Sequence, residues 1–370
     1  MLLLPSVLTW TNLCPDPILG PQNCSVDIDP MKTSRFILLP LLLISATACA
    51  QSGTVIYVTN EDSNNVSVID GGTHEVVATI PVGKRPRGIK VSPDGSVFYV
   101  ALSGSPKCPP SMEDEECEKL VADKSADGIA EVDTRTRRVV RILDSGSDPE
   151  QFDVDWETRH LFVSNEDTHM TSMLNLDTGE ILTQTLVGLE PEGVRLSPDG
   201  HRVFVTGEVA SDVTVINADN GDAIATIQVG LRPRDILFTA DSKTAYISAE
   251  FGTQIDIIDV GSNAVSGTIA LPEGSLPMGL VLSPDEKTLY VATGRGKSVL
   301  AIDTSSHEVI RSVEVGPRPW GLAGSPDGST LYSANGPSDD VTVIDAATFE
   351  IITKIPVGET PWGLVVGPAL

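Results

Sequence analysis

A chain of 370 residues with a formal net charge of −26 at neutral pH is too acidic for its general surface to bind nucleic acid or anionic lipid. Hydrophobic residues make up 41% of the chain and aromatic residues only 5%, which favours a repeat fold with a core of Val, Ile and Leu. Solubility is the simplest explanation of the acidity, and we place it ahead of a specific cationic partner.

The N-terminal 50 residues contain an export signal that begins at an internal methionine. Residues 1–30 precede Met31, and we interpret them as the result of a start codon placed too early, with no ordered structure. Basic residues then precede the apolar run 36–44, and small residues follow it. This layout over residues 31–50 is typical of a secretory signal peptide, and the apolar run is far shorter than the roughly 20 residues needed to span a bilayer.

The end of the signal segment leaves two outcomes open. Cleavage after Ala48 or Ala50 fits the small-residue pattern and gives a periplasmic or secreted protein without a transmembrane segment. Lipid attachment at Cys49 is the alternative, but Ala46 stands three positions earlier, where a lipoprotein signal usually has Leu. We therefore expect the soluble exported form.

The exported part, residues 51–370, is predicted to be one domain built from a repeated phrase. Each copy has a first strand that begins near a proline, and these anchors recur about every 42 residues after a longer first interval: Pro86, Pro149, Pro191, Pro233, Pro277, Pro319 and Pro361. Each copy also contains three further strand-like runs. Four strands per period of about 42 residues predict an all-β, seven-bladed β-propeller of four-stranded antiparallel blades.

The two ends of the repeat region predict how the ring closes. Only one strand follows Pro361, whereas the exported chain starts with three strands that have no first strand of their own. We expect the C-terminal strand to pair with these N-terminal strands, because that arrangement removes the open sheet edges.

An insertion of residues 103–127 interrupts the first full blade and contains Cys108 and Cys117. Export implies an oxidising compartment, so a local disulfide is predicted, ahead of a two-cysteine metal site that would have no histidine nearby. Ser111 followed by Asp114 favours a short helix. The insertion is a candidate lid or partner-docking element, and plain surface decoration is the alternative.

The repeats contain the tetrapeptide Tyr57-Val58-Thr59-Asn60, and the chain resembles the YVTN family of β-propeller repeats over residues 54–368. The order of VGKRPRGI (82–89), DPEQF (148–152), EPEGV (190–194) and PWGLVV (361–366) is similar to β-propeller proteins associated with pyrroloquinoline-quinone-dependent catabolism. This resemblance implies an exported protein that accompanies quinoprotein alcohol oxidation and transport, with no established catalytic activity.

Two rings of side chains are expected on one face of the propeller, around the mouth of its channel. The first ring takes the residue after each anchor proline: Arg87, Glu150, Glu192, Arg234, Met278, Trp320 and Trp362. The second takes the residue after each second strand: Glu61, Ser103, Glu166, Glu208, Glu250, Gly294 and Gly336. The SPDG turns, such as 325–328, are expected on the opposite face as scaffold.

The rings combine acids, arginines and indoles on different sides of the mouth. Carboxylates suit a cation or an amine, guanidinium groups suit an anion, and tryptophan suits a flat apolar group. The predicted ligand-binding set is Arg87, Glu150, Glu166, Glu192, Glu208, Arg234, Glu250, Trp320 and Trp362. The alternative is structural: the arginines pair with neighbouring acids, and the indoles pack between blades.

No nucleophile elbow, zinc-binding helix or phosphate-binding loop occurs in the sequence, and no catalytic residue is predicted. The leading expectation is a monomeric, non-catalytic propeller that binds a small ligand or a periplasmic partner protein and serves quinone-dependent alcohol catabolism. No quinone is expected to be held by the chain itself. The alternative is a metal-dependent, lactonase-like hydrolase at the channel mouth, in which the clustered glutamates hold a divalent cation such as Ca²⁺.

Overall fold

The repeated phrase folds into seven four-stranded antiparallel sheets that form a ring, as a computed structural model shows for residues 53–107, 116 and 119–369. The predicted all-β, seven-bladed architecture is therefore confirmed. Each blade runs from an inner first strand at the channel to an outer fourth strand. The blades are numbered here from the first complete one.

The chain starts with three strands of the closing blade and continues with blades 1 and 2. The closing blade, blade 7, receives β1 (Thr54–Asn60), β2 (Asn65–Asp70) and β3 (Glu75–Pro81). Blade 1 consists of β4 (Pro86–Val91), β5 (Val97–Leu102), β6 (Gly128–Asp133) and β7 (Arg138–Leu143). Blade 2 consists of β8 (Pro149–Asp155), β9 (His160–Asn165), β10 (Met170–Asn175) and β11 (Ile181–Leu186).

Blades 3 to 6 follow the same order, and one strand completes blade 7. Blade 3 consists of β12 (Pro191–Leu196), β13 (Arg202–Gly207), β14 (Asp212–Asn217) and β15 (Ala223–Gln228). Blade 4 consists of β16 (Pro233–Phe238), β17 (Thr244–Ala249), β18 (Gln254–Asp259) and β19 (Ala264–Ala270). Blade 5 consists of β20 (Leu280–Leu282), β21 (Thr288–Ala292), β22 (Ser298–Asp303) and β23 (Val309–Glu314). Blade 6 consists of β24 (Pro319–Gly324), β25 (Thr330–Asn335), β26 (Asp340–Asp345) and β27 (Ile351–Pro356), and β28 (Pro361–Pro368) ends the ring.

Single-turn 3₁₀ helices occupy a few connections near the first strands. They span Lys124–Ala126, Glu166–Thr168, Gly294–Gly296 and Gly336–Ser338. Within the part of the chain that the structure describes, no helix is long and apolar enough to cross a membrane.

The hydrophobic core lies between neighbouring blades. The second and third strands are buried on both faces, as in β25 and β26, whereas the outer strand β27 exposes alternate residues. Ile56 and Val58 of blade 7, for example, pack with Tyr332 and Val341 of blade 6. Because every blade is covered by the next one, the chain needs few aromatic residues to exclude water.

The SPDG turns behave as the scaffold elements that the sequence predicts. In the turn at 325–328, Ser325 Oγ donates a hydrogen bond of 2.6 Å to Asp327 Oδ1. Gly328 closes the turn with φ of 70°, a conformation that glycine adopts at little cost. The turn therefore reverses the chain between the first and second strands.

The ring is closed by the two ends of the propeller, as predicted. Strand β28 pairs antiparallel with β1, and Leu364 and Val366 stand opposite Val58 and Ile56. Blade 7 thus has the order β28-β1-β2-β3.

Two features depart from the repeat. In blade 5 the first strand has only three residues and begins at Leu280, three positions after Pro277. The Met278 N–H still donates a hydrogen bond of 2.8 Å to the carbonyl oxygen of Ala292 on the second strand. In blade 1 the predicted disulfide between Cys108 and Cys117, and most of the helix predicted after Ser111, lie outside the described residues.

Candidate functional site

A cavity of about 670 Å³ opens at one end of the ring, where the first strands begin. The structure brings most of the predicted ligand-binding residues into its wall: Arg87, Glu150, Glu166, Glu192, Glu208, Arg234, Trp320 and Trp362. Glu250 lies beside that wall as a partner of Arg234. The two rings read from the sequence therefore meet at one mouth.

Hydroxyl groups from one blade hold the first strand of the next blade in place. Thr59 Oγ1 donates to the carbonyl oxygen of Arg87 at 2.8 Å. Ser164 Oγ donates to the carbonyl oxygen of Glu192 at 2.7 Å. Each hydroxyl lies on a second strand, so the backbone of these charged residues is fixed by the neighbouring blade.

Glycine two positions after the anchor proline lets successive first strands approach closely. A Cβ at Gly193 would lie 2.3 Å from the carbonyl oxygen of Arg234, and one at Gly363 would lie 2.6 Å from that of Arg87. Larger residues would push the first strands apart. The side chains of Arg87 and Arg234 therefore lie within reach of acids from other blades.

Arg234 is the centre of the first charge cluster, which also contains Arg232, Glu192, Glu208 and Glu250. Arg234 Nη1 contacts the carboxylates of Glu192 and Glu208, and its Nη2 lies 2.8 Å from Glu250 Oε2. Arg232 contacts Glu208, and its Nε lies 3.3 Å from Glu250 Oε2. The Arg234 cluster joins blades 3 and 4.

Three carboxyl groups face two guanidinium groups in the Arg234 cluster, so one carboxyl retains its proton more strongly. Burial raises the pKa of Glu192 to about 8, against the attraction of Arg234 and with the help of repulsion from Glu208. The same neighbours hold the pKa of Arg234 above its usual value despite burial. At neutral pH Glu192 accordingly keeps its proton.

Arg87 is the centre of the second charge cluster, on the other side of the mouth. Its Nη1 contacts Glu150, lies 3.6 Å from Asp148 Oδ1 and lies 3.7 Å from Glu166 Oε2. Its Nε lies 3.5 Å from Glu61 Oε1. The Arg87 cluster joins blades 7, 1 and 2.

The acids of the Arg87 cluster have pKa values shifted in opposite directions. Burial alone would raise the pKa of Glu61, but Arg87, Arg85 and Lys107 lower it below its usual value. Burial raises the pKa of Glu166, Arg87 opposes that rise, and Asp148 and Glu192 add to it. The Glu166 side chain is 34% exposed. It is therefore a carboxyl that a molecule in the cavity can reach.

The expected divalent cation can be compared with one group of carboxylates. One oxygen each from Asp148, Glu150 and Glu166 lie within 4.8 Å of one another, and Ca²⁺ prefers oxygen ligands. Arg87 Nη1, however, stands among the same three carboxylates. A guanidinium group already supplies the positive charge there, so this arrangement does not fit a metal ion at that point.

Two indoles form the apolar wall of the mouth. The rings of Trp320 and Trp362 lie 5.5 Å apart at 32°, and buried Met278 precedes them in the ring of first strands. The Arg318 guanidinium carbon lies 4.6 Å from the Trp320 ring centroid. The structural and the ligand-binding interpretations therefore both hold in part: the arginines pair with acids and the indoles pack together, yet all border an open cavity.

Sequence reasoning missed a third ring, formed by the residue before the anchor proline. Six such residues have φ between 42° and 60° and line the cavity: Arg85, Asp148, Glu190, Arg232, Arg318 and Thr360. The left-handed backbone turns them towards the mouth. Their position beside an already aligned proline was the signal available in the sequence.

The described ends of the insertion lie on the predicted face. Pro106 and Lys107 line the cavity, and Lys107 Nζ lies 2.9 Å from Asp62 Oδ2 and 3.3 Å from Glu61 Oε2. Across the mouth rim, Lys124 contacts Asp167. The insertion is thus attached to blades 7 and 2 at the cavity edge.

Below the mouth, the channel contains a second space of about 410 Å³. One side has two ion pairs between neighbouring blades: Lys90 with Asp153 at 3.1 Å and Arg195 with Asp235 at 3.0 Å. The other side is apolar. These pairs join the first strands of blades 1 and 2, and those of blades 3 and 4, beneath the charged mouth.

These features define a seven-bladed propeller with a charged, partly aromatic mouth. The family model described as "Lactonase, 7-bladed beta-propeller" matches residues 194–348, which extend from blade 3 to blade 6. A search among curated proteins finds no match to this chain.

Solved structures share the fold at low sequence identity. Hydrazine synthase of Kuenenia stuttgartiensis is 20% identical with a TM-score of 0.64, and the alignment covers 75% of this chain and 88% of that one. A putative 6-phosphogluconolactonase from Bacteroides fragilis is 17% identical with a TM-score of 0.69, covering 86% and 99%. A second from Bacteroides uniformis is 17% identical with a TM-score of 0.67, covering 85% and 100%.

The expectation of a non-catalytic binding propeller is wrong by these comparisons. The matching family model describes lactonases, and two of the similar structures are described as putative lactonases. The alternative expectation, a lactonase-like hydrolase, agrees better with these comparisons. The expectation failed because it required a familiar nucleophile motif, whereas hydrolysis by water needs only positioned acids, bases and charge donors.

Proposed function

We propose that this protein is a lactonase-like hydrolase that opens a cyclic ester at the channel mouth. The observation that carries the proposal is the mouth itself, where Glu192 with a raised pKa and the accessible carboxyl of Glu166 line the same cavity as Arg87 and Arg234. Acids and bases with shifted pKa values are characteristic of catalytic sites. The lactonase family match supports the same reaction class.

The proposed reaction uses water as the nucleophile. Ionised Glu166 accepts a proton from water as the water oxygen bonds to the lactone carbonyl carbon. Arg87 and Arg234 stabilise the negative charge that develops on the carbonyl oxygen. The bond between the carbonyl carbon and the ring oxygen then breaks, and protonated Glu192 gives its proton to that oxygen. Proton exchange with solvent returns both glutamates to their starting states.

No step of this reaction passes through a metal ion. The carboxylates that suit a cation best are those around Arg87, and its guanidinium group already lies among them. Elemental analysis of the purified protein tests whether a divalent cation is bound elsewhere.

The resemblance to YVTN repeats and to proteins of pyrroloquinoline-quinone-dependent catabolism remains part of the proposal. Oxidation of a cyclic hemiacetal produces a lactone, which a lactonase consumes. A hydrolase that accompanies quinoprotein oxidation is therefore chemically consistent with that resemblance. We propose this setting on the residue order quoted above, and metabolite analysis of a deletion strain tests it through accumulation of lactone.

Export is also a proposal, because residues 31–50 lie outside the described residues. Mass determination of the mature N-terminus distinguishes cleavage after Ala48 or Ala50 from lipidation at Cys49. A monomeric state is tested by light scattering. Co-purification from the periplasm tests the predicted partner protein.

A pH-stat assay on purified protein tests the proposed activity. The panel contains γ- and δ-lactones with neutral, carboxylated and phosphorylated substituents. Wild type should release acid with saturation kinetics, and Glu166→Gln and Glu192→Gln should lower kcat by about 10²–10⁴-fold, as expected for loss of general acid–base catalysis. Glu180→Gln, at an exposed position away from the mouth, is the matched control. Equal kcat in all four proteins would rule out these roles.

A further inference from the structure

Blade 6 has an arginine at the mouth without the acid that accompanies its counterparts. Arg232 of blade 4 and Arg318 of blade 6 both precede an anchor proline, with φ of 60° and 51°. The carbonyl oxygen of Arg232 accepts a hydrogen bond from the Glu250 N–H at 2.9 Å, and that of Arg318 accepts one from the Gly336 N–H at 3.4 Å. Gly336 therefore stands where blade 4 has Glu250.

Blade 5, which precedes blade 6, also has a glycine where other blades have an acid. Arg232 contacts Glu208 of blade 3, and Arg85 of blade 1 lies 2.8 Å from Glu61 of blade 7. The corresponding residue before blade 6 is Gly294. Both acids that neutralise the arginine in blade 4 are thus glycine around Arg318.

Arg318 shares the cavity wall with a second arginine, Arg295, and has no acid among the described residues in salt-bridge contact. Burial lowers the pKa of Arg318, and the positive charges of Arg295, Arg234 and Arg232 lower it further, whereas the more distant Glu250 opposes the shift. Among the residues that the structure describes, no carboxylate oxygen lies within 4.0 Å of either Arg295 or Arg318. The chain has a net charge of −26, so acids are abundant, yet in its described part these two cavity-lining arginines lack an acid in salt-bridge contact.

We infer that Arg295 and Arg318 form an anion-binding subsite at the mouth, for a carboxylate or phosphate group. Guanidinium groups bind both through paired, charge-assisted hydrogen bonds. Trp320 supports Arg318 through a contact of 4.6 Å and offers an apolar surface beside the anion. Gly336 leaves room beside Arg318, since a Cβ there would lie 3.7 Å from its nearest neighbours.

The subsite adds a substrate feature to the proposed function. It depends on that proposal only for the identity of the molecule that carries the anionic group. It assigns an anionic substituent to the lactone and places it on the blade 5 and 6 side. The reacting ester then lies towards the glutamates of blades 2 and 3. Anion binding by itself requires no catalysis.

Isothermal titration with inorganic phosphate and with acetate tests the subsite in a chloride-free buffer at low ionic strength. Wild type should bind at least one probe at millimolar concentration or tighter, and the stronger probe identifies the anion class. Arg295→Met and Arg318→Met should each weaken binding at least tenfold. Arg138→Met changes an exposed arginine on an outer strand and should leave binding unchanged.

Gly336→Glu gives a test that does not remove an arginine. It installs the acid that blades 3 and 4 have at this position, in space that accepts a side chain. It should abolish phosphate and acetate binding, whereas the uncharged control Gly336→Gln should retain at least one third of the wild-type affinity. No binding to folded wild type, or equal affinity in wild type, Arg318→Met and Gly336→Glu, would overturn the subsite. Lactone turnover plays no part in the readout, so the hydrolase proposal stands or falls separately.

Discussion

Nη2 of Arg234 lies 2.8 Å from Oε2 of Glu250, and the same guanidinium group contacts Glu192 and Glu208 of the neighbouring blade. All four side chains are at most 10% exposed. One arginine therefore binds buried acids from two blades, and we expect the stability of this side of the mouth to depend on it.

Replacement of Arg234 by methionine should destabilise the protein by about 3–5 kcal/mol, because it leaves buried carboxylates with one arginine fewer. Lys243→Met removes an exposed pair with Asp241 and should change stability by less than about 0.5 kcal/mol. Urea denaturation monitored by tryptophan fluorescence measures both. Equal stability of the two variants would show that the Arg234 cluster is not a structural tie.

The raised pKa of Glu192 predicts how stability changes with pH. A carboxyl whose pKa is near 8 in the folded state and near 4.3 when unfolded binds more protons in the folded state between those values. Stability should therefore fall as pH rises through this window. Glu192→Gln cannot titrate, so its stability relative to wild type should increase by at least about 1 kcal/mol from pH 5 to pH 9.

Denaturation curves at several pH values provide this comparison. Glu180→Gln, at an exposed position, is the control and should follow the wild-type pH dependence. Parallel curves for Glu192→Gln and wild type would contradict the shifted pKa.

Arg87 should determine whether the acids around it bind calcium. Arg87→Ala leaves Asp148, Glu150 and Glu166 close together without the guanidinium group among them. Addition of millimolar Ca²⁺ should then raise the Tm of the variant and leave that of wild type unchanged, because a ligand that binds only the folded state stabilises it. A similar shift in chelator-treated wild type would show that a cation site exists despite Arg87.

Asp212 is a buried acid that lacks the amide partner present in other blades. Asn335 Nδ2 donates to Asp340 Oδ1 at 2.6 Å in blade 6, but the residue paired with Asp212 in blade 3 is Gly207. Among the described residues Asp212 Oδ1 has no hydrogen-bond donor, and burial raises the Asp212 pKa. Ionisation of Asp212 thus costs stability above the usual carboxyl pKa.

Asp212→Asn should stabilise the protein by about 1 kcal/mol at pH 8, and this gain should vanish near pH 4. Asp340→Asn is the matched control: it keeps an oxygen that can accept from Asn335, as Asn65 accepts from Asn60 in blade 7, and it should not stabilise the protein at pH 8. Thermal unfolding of wild type and both variants at the two pH values measures these differences in stability. Loss of stability in Asp212→Asn at pH 8 would refute the assignment.

The repeat made the fold predictable, because four strand-like runs, an anchor proline and an SPDG turn recur often enough to be aligned. The alignment of the copies also predicted that residues such as Arg87 and Trp320 lie on the same face of the propeller. Ion pairs between side chains were harder to predict. The contacts of Arg234 with Glu192 and Glu208 depend on how closely two blades approach at Gly193. The ring at Arg85, Arg232 and Arg318 depends on left-handed backbone before proline, which residue type does not reveal.

The pH dependence of lactone hydrolysis by purified wild-type protein is the decisive measurement for the proposed hydrolase activity. We expect saturable, enzyme-dependent acid release from at least one lactone in the panel. The value of kcat/KM should also fall as pH rises through about 8, where Glu192 loses the proton that it donates in the proposed reaction. Folded protein that hydrolyses no lactone faster than buffer at any pH would contradict the assignment of a hydrolase.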